Sequence, residues 1–225
     1  MRKVVNEIFY ATRTGCQWEN LPKDYPNYHS VYYNYRKWCH DGTWRTVNTA
    51  LRRLERQQWG CDPDPTAGRY PSMKTTEAGG ERGYDARKKV KGRKRHILLD
   101  TVGNILDVIF HAASVQDYQG GKALLRKVVE TVDDLQKIWA DGICGHGGLI
   151  EWVRETLAII LEIVKRPEEQ QDFQVLPRRW VIERTLGWLG RYRCLSKDYE
   201  HCLENSEGMI YIASIPTMLK RIAIA

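Results

Sequence analysis

The chain has 225 residues, of which 42% are hydrophobic, so it is long enough to bury the core of one domain. Its eight tryptophans and twelve tyrosines argue against an intrinsically disordered protein. The formal net charge is +7, which favours a polyanion, nucleic acid above all, as the partner. An ordinary soluble enzyme with basic patches is the alternative.

The positive charge is concentrated in three blocks. Residues 1–57 carry ten basic and five acidic side chains, residues 74–96 carry nine and three, and residues 178–197 carry six and one. The remainder of the chain is net negative. Three separate basic segments indicate several contacts with one extended anion.

The six cysteines show no C-x-x-C pair, and no signal peptide is visible, so reduced thiols in a cytoplasm are expected. Cys144 and His146 could contact a metal together, but two ligands do not make a zinc site. No apolar run approaches the roughly 20 residues that cross a bilayer, so we expect no membrane contact.

The first quarter of the chain reads as three short helices. Residues 3–13 show a helical pattern with no N-cap before it, which predicts that the natural element starts earlier. Ser30 is the predicted cap of a second helix, and Thr43 that of a third, which ends near Gln57. The third helix is predicted to turn three side chains inward: Val47, Leu51 and Leu54. A helix-turn-helix-like DNA binder and a cap that only packs on the main domain are both compatible with this pattern.

A proline-rich stretch, Cys61–Gly68, is the predicted domain boundary. Residues 74–96 then alternate glycines with basic side chains, which suits a loop that follows phosphates, although a mobile charged loop would look the same. Two β-rich runs, Arg95–Asp100 and Ile105–Ala112, predict a hairpin with Asp100 in its turn. His96 and His111 are interpreted as structural residues on these strands.

The remaining elements alternate, which predicts an α/β domain with a mixed sheet. They are a helix from Asp117, a strand at Lys137–Asp141, a helix at Leu149–Leu157, a strand at Ile159–Lys165, and helices at Arg179–Gly190 and Ser206–Ile222.

Two acids stand where a phosphoryl-transfer site is expected. Asp141 closes a buried strand, and functional groups gather at strand ends in open α/β sheets. Glu183 lies on a predicted helix among arginines, with Arg179 one turn before it. Two such carboxylates can hold Mg²⁺ or Mn²⁺ for phosphoryl transfer. An Arg–Glu pair on a solvated helix face, with an unrelated acid at a strand end, is the alternative.

Six runs of the sequence carry a family resemblance. They are IFYATRTGCQWENLPKDYP, VYYNYRKWCHDGTW, KTTEAGGERGYDARKKVKGRKRHILLDTVG, IWADG, LEIVKRP and VLPRRWVIERTLGWLGRYRCLSKDYE. In this order, and over nearly the whole chain, they are similar to bacterial insertion-sequence transposases of the Asp-Asp-Glu class. The resemblance implies an α/β, RNase H-like mixed sheet flanked by helices, with a small N-terminal all-helical DNA-binding segment.

On this resemblance, residues 1–60 are the DNA-binding segment, 61–73 a linker with a damaged first strand, and 74–225 the catalytic domain. Asp141 matches the second catalytic Asp and Glu183 the catalytic Glu, both as metal ligands, and Arg179 matches the arginine four residues before that Glu. The implied activity is cleavage at element ends and strand transfer, dependent on Mg²⁺ or Mn²⁺. The implied setting is a homodimer on double-stranded DNA in the bacterial cytoplasm, at the nucleoid.

The first catalytic Asp has no match. Relatives carry it just before an S-x-S-V-K-T-like run, but residues 66–74 read TAGRYPSMK, about two residues short of that pattern, with no acid between Asp64 and Glu77. Pro71 also suits a central strand poorly. We expect a degenerate, N-terminally truncated copy in which Arg69 stands near the place of the missing acid and Asp62 or Asp64 is the only nearby substitute.

Three functions follow from these residues: a transposase that uses Asp141 and Glu183, a transposase-derived DNA-binding protein without catalysis, and, more distantly, a metal-dependent nuclease of the same fold. The missing acid favours the second for this copy. The predicted DNA contacts are basic residues of two blocks: Arg87, Lys88, Lys89, Lys91, Arg93, Lys94, Arg95, Arg178 and Arg184.

Overall fold

The computed structural model describes residues 1–24, 26–70, 72–75, 83–85, 90–141, 148–164 and 180–224. The helices within these ranges are α1 Arg2–Thr14, α2 Tyr28–His40, α3 Thr43–Gln58, α4 Asp117–Val129, α5 Leu149–Leu157, α6 Trp180–Leu189 and α7 Leu203–Ile222. The strands are β1 Ala67–Tyr70, β2 Ser72–Thr75, β3 Gly83–Asp85, β4 Val90–Asp100, β5 Ile105–Ala112, β6 Lys137–Asp141 and β7 Ile160–Val164.

The three N-terminal helices form as predicted, but their caps differ. The Asn27 side chain accepts a hydrogen bond from the backbone N–H of His29 at 2.9 Å, so α2 begins before the predicted Ser30 cap. Gly42 precedes α3 in the left-handed conformation, at φ 74°, and Thr43 is the first helical residue. The sequence therefore predicted the helices correctly and their starting residues less well.

The predicted inner face of α3 is only partly confirmed: Leu51 packs against the core, but Val47 and Leu54 are exposed. Val47 and Leu54 are 36% and 44% exposed, whereas the buried face carries Asn48, Arg52 and Glu55. This face is polar because its partners are polar: the Arg52 guanidinium donates to a carboxylate oxygen of Asp64 at 2.9 Å, and the Asn48 amide bonds Ser214 of α7. Hydrophobic periodicity alone therefore identifies only part of the buried side of this helix.

The sheet has the strand order β5–β4–β1–β6–β7, with β4 antiparallel to its neighbours and β1, β6 and β7 parallel. The predicted hairpin is β4–β5, and its predicted turn residue is confirmed. The carboxylate of Asp100 accepts the backbone N–H groups of Val102, Gly103 and Asn104 at 2.7–2.9 Å. Topology and turn agree with the mixed α/β sheet expected from the sequence.

The segment predicted to be a damaged first strand forms β1 and the start of β2. Gly68 pairs with Asp100 and Arg69 with Leu99, and Ser72 then pairs with His96. The β1 and β2 pairings therefore follow one unbroken register along β4. Position 71 lies outside the described residues, so its proline is not placed here.

Two hydrophobic clusters cover the two faces of the sheet. Leu98 and Ile138 point to the cluster under α4 and α5, whereas Ile97 and Leu99 point to the cluster formed with α1, α2, α6 and α7. Within α7, Ile210 and Ile212 are fully buried. The N-terminal helices thus share one core with the last helix, and a domain boundary near residue 60 stays a prediction. No helix in the described ranges combines the length and apolar character needed to span a bilayer.

Asp107 of β5 anchors this shared core through charge. Its carboxylate is fully buried and accepts the Tyr211 hydroxyl at 2.7 Å. Burial, together with this carboxylate, raises the pKa of Tyr211 well above its usual range, so the hydroxyl remains a donor. Arg45 of α3 and Lys127 of α4 bring cations to the same carboxylate. Helices from both sides of the sheet therefore meet at one acid.

We expect Asp107→Ala to lower the free energy of unfolding by about 3–5 kcal/mol, because it leaves buried donors without their acceptor. Glu155→Ala is the matched control: Glu155 lies 4.0 Å from Arg154, both are more than 70% exposed, and its loss should cost less than about 0.5 kcal/mol. Urea unfolding of both variants measures the difference. Equal midpoints would contradict the anchoring role.

Candidate active site

The carboxyl edge of the parallel strands is the candidate site. β6 runs parallel to β1, with Arg69 opposite Trp139 and Tyr70 opposite Ala140, and it ends at Asp141, which pairs with Val164 of β7. The predicted position of Asp141 at a strand end is therefore confirmed for its backbone; its side chain is outside the described part. Parallel strands collect functional groups at this edge.

The central strand brings a cation, and not an acid, towards this edge. Arg69 is only 6% exposed, and its guanidinium lies over the Trp139 ring at 5.5 Å. Lys137 approaches the same ring at 5.5 Å, and the indole N–H donates to Glu162 at 3.2 Å. The stretch Ala67–Tyr70 contains no carboxylate.

Helix α6 carries Glu183 on its exposed side. Its opposite face packs on the β4–β5 turn, where the Thr185 hydroxyl donates to the Gly103 carbonyl at 2.9 Å and Val181 lies alongside. Gly103 has φ 97° and no room for a Cβ against Thr185, so this turn requires glycine. The turn follows the end of β4 that pairs with the start of β1, so these docking contacts lie at the opposite edge of the sheet from Asp141.

Arg184 takes part in a ladder of alternating rings and guanidinium groups. Its guanidinium lies 4.5 Å from the Trp180 ring and 4.6 Å from the Trp188 ring, and it donates to the Val102 carbonyl. Arg221 of α7 continues the ladder, 5.2 Å from Trp188. Burial lowers the pKa of Arg184, with Arg221 adding to the effect. Because this guanidinium already has its partners, we do not retain Arg184 as a phosphate contact.

The structure also corrects two predicted DNA contacts on β4. Arg93 is 2% exposed and donates to Asp198 at 3.0 Å, while Lys94 is 5% exposed and pairs with Asp85 and Asp117 at 3.0 and 3.1 Å. These side chains hold elements together and do not face solvent. The same strand carries Lys91, exposed, and Arg95, half-buried, where burial lowers the Arg95 pKa. Four other predicted contacts lie outside the described residues, namely Arg87, Lys88, Lys89 and Arg178, and so does Arg179, the predicted partner of Glu183.

A buried polar cluster lies beside the central strand. The Tyr70 hydroxyl bonds Nδ1 of His96, and the His96 and His111 rings stack at 4.6 Å. A Cβ on Gly120 of α4 would come within 2.3 Å of His111 Nε2 and 2.5 Å of His96 Nε2. The prediction that both histidines are structural residues on strands fits this packing. Their contact with the helix glycine could not be read from sequence spacing.

The sequence matches the models of two known protein families. Residues 44–215 match the model of the transposase DDE domain, and residues 1–48 match the model of transposases of the IS4/5 family. The chain belongs to the DDE transposases. No curated protein matches it. The family agrees with the RNase H-like strand order and with the N-terminal helices.

The family implies a divalent metal, but the described residues of this transposase do not form a complete site for one. Within the described ranges no cluster of three or more His, Cys, Asp or Glu side chains could hold a metal ion. Asp64, one of the two acids predicted as a substitute, is paired with Arg52 at 2.9 Å and Arg53 at 2.8 Å. Partial burial opposes its ionisation, but these hydrogen bonds hold the pKa of Asp64 below its usual range. The carboxylate of Asp64 is therefore paired with two arginines of α3 and is not part of a metal site in this structure.

We expect Arg184→Ala to destabilise the transposase by about 1–3 kcal/mol, because it removes two ring contacts and a charge-assisted hydrogen bond. Arg191→Ala, at an exposed position just after the same helix, is the control. Thermal unfolding followed by near-UV circular dichroism measures both variants through the tryptophan signal. A control variant that melts as low as Arg184→Ala would refute the structural role of the ladder.

Proposed function

We propose that this protein acts at the ends of an insertion sequence as its transposase, binding double-stranded DNA and carrying out strand cleavage and strand transfer with Mg²⁺ or Mn²⁺. Asp141 and Glu183 are proposed as the metal carboxylates on the family resemblance, and Arg179 is proposed to act beside Glu183. The docking contacts of α6 lie at the opposite edge of the sheet from Asp141, so the assignment of Glu183 rests on the resemblance and not on its position beside Asp141. The observation that carries the proposal is the sheet order, which sets the end of β6 next to the central strand. An element has two ends, which favours a homodimer on DNA.

One observation favours a second candidate, a transposase-derived protein that binds DNA without cleaving it. The described part of the central strand carries Arg69, buried on Trp139, where a third carboxylate is expected. The guanidinium of Arg69 opposes the binding of a metal cation nearby through Coulomb repulsion. Removal of one charge-stabilising group from such a site typically costs about 100-fold or more in rate.

Nicking of a supercoiled plasmid that carries the element ends separates the two candidates. With Mg²⁺ or Mn²⁺, the transposase should nick, and Glu183→Gln should reduce the rate at least about 100-fold. Glu183 is exposed on α6, so this isosteric change should leave the fold intact. Glu151→Gln, at an exposed position in the first turn of α5, is the control and should nick like the parent.

Absence of nicking by all three proteins, with end binding intact, would establish the second candidate. In that case Arg69→Asp, which returns a carboxylate to the central strand, should raise metal-dependent nicking above the parent level. Absence of DNA binding by the parent would refute both candidates.

The proposed phosphate contacts are Arg87, Lys88, Lys89 and Lys91. Their joint replacement by alanine should weaken duplex binding for all sequences and flatten the dependence of log K on log salt by about 0.9 per lost phosphate contact. Arg154→Ala, at a position 72% exposed on α5, should leave the slope unchanged. Fluorescence anisotropy at several salt concentrations measures the slope. An unchanged slope in the fourfold variant would show that these residues do not contact phosphates.

A further inference from the structure

An open groove of about 990 Å³ separates the N-terminal helices from the segment between α6 and α7. We call it the aromatic groove. One wall carries Trp18 and Tyr32, and the other carries Tyr199. None of the transposase site residues discussed above lines it.

Aromatic rings are presented from both walls of the aromatic groove. Tyr32 is 36% exposed and Tyr199 is 60% exposed. The Trp18 ring lies beside Tyr32 at a centroid distance of 5.5 Å and also lines the groove. A planar ligand could therefore stack on a ring that the protein already holds in place.

Basic side chains accompany these rings. Arg36 lies over the Tyr32 ring at 5.9 Å, and Arg193 is exposed on the opposite wall. A second groove of about 430 Å³ shares Tyr32 and Arg36 and adds Lys37, so the surface continues beyond the first cavity. Each groove also carries one acid: Glu200 lines the aromatic groove, where its half-buried carboxylate accepts the Asn205 amide at 3.3 Å, and Glu204 lines the second groove.

A side chain of β4 fixes the far wall of the aromatic groove. The Arg93 guanidinium donates to the carbonyls of Glu200 and His201 at 2.8 and 2.6 Å, which fixes the far wall. On β4, Arg93 pairs with Thr75, the last residue of β2. The far wall is therefore held beside the end of β2, at the edge of the sheet where β6 also ends.

We propose that the aromatic groove binds a short unpaired segment of a DNA strand, whose bases stack on Tyr32 and Tyr199 and whose phosphates pair with Arg36 and Arg193. Stacking platforms inside a positively charged groove are the general means of holding single strands without sequence preference. Duplex DNA keeps its base faces stacked on one another, so it cannot offer them to recessed rings. The inference rests on the proposed function, since it assumes that DNA is the ligand.

Binding of a fluorescein-labelled oligothymidine tests the proposal, with a labelled duplex measured in parallel by anisotropy. Tyr32→Ala combined with Tyr199→Ala should weaken oligothymidine binding at least about tenfold and leave duplex binding within about twofold. The pair Tyr32→Phe and Tyr199→Phe keeps the rings and should bind like the parent. Tyr10→Ala, which removes a 40% exposed tyrosine of α1 outside the groove, is the control.

The charge contribution has its own measurement. Arg36→Gln combined with Arg193→Gln should reduce the salt slope of oligothymidine binding by about 1.4, that is, about 0.7 for each lost contact. If the parent binds duplex but not oligothymidine, or if the double alanine variant loses both ligands equally, the inference is wrong and the proposed function stands. If the parent binds neither DNA, the proposed function fails as well.

Discussion

The buried carboxylate of Asp100 is the interaction on which the arrangement of this transposase depends. It forms the hairpin turn by accepting three backbone N–H groups, and it also accepts the Arg56 guanidinium of α3 at 3.3 Å. The same turn presents the Gly103 carbonyl to Thr185 of α6. This one acid therefore forms the turn and binds an N-terminal helix. It also fixes the turn on which α6, the helix that carries Glu183, packs. A buried carboxylate is tolerated here because all of these donors satisfy it.

A second buried and satisfied carboxylate, that of Glu55, joins α3 to α7 and to the β4–β5 turn. Arg221 of α7 pairs with Glu55 of α3 at 2.7 Å, and the Asn104 amide donates to the same carboxylate at 3.0 Å. Burial raises the pKa of Glu55, which Arg221 opposes. Because removal of one partner of such a group leaves a buried charge uncompensated, the network specifies how α3 sits. The N-terminal helices therefore share a fixed interface with α7 and the β4–β5 turn, which limits their movement against the sheet.

The sequence was sufficient for the fold and only partly sufficient for the site. Strong patterns, such as the β4–β5 hairpin and the strand that ends at Asp141, predicted the α/β sheet correctly, and the resemblance predicted the family. Two of the three residues predicted to face inward on α3 are exposed, and Arg93 and Lys94 are buried in ion pairs, because a local pattern does not show which charges find buried partners. Arg93 is paired with Asp198, more than one hundred residues away in the chain. Long-range pairing of this kind has no signature in spacing or composition.

Folding and catalysis make separate demands on the central strand. Gly68 packs against Leu98, since a Cβ there would lie 3.3 Å from that side chain, and the Tyr70 hydroxyl reaches His96. These contacts and the ladder to β6 hold the strand without any carboxylate from Ala67–Tyr70, so the fold of this strand does not depend on a metal ligand there. The exposed Lys91 and the rings of the aromatic groove are equally independent of that site. DNA binding can therefore persist in this chain whether or not cleavage does, and binding and cleavage must be measured separately.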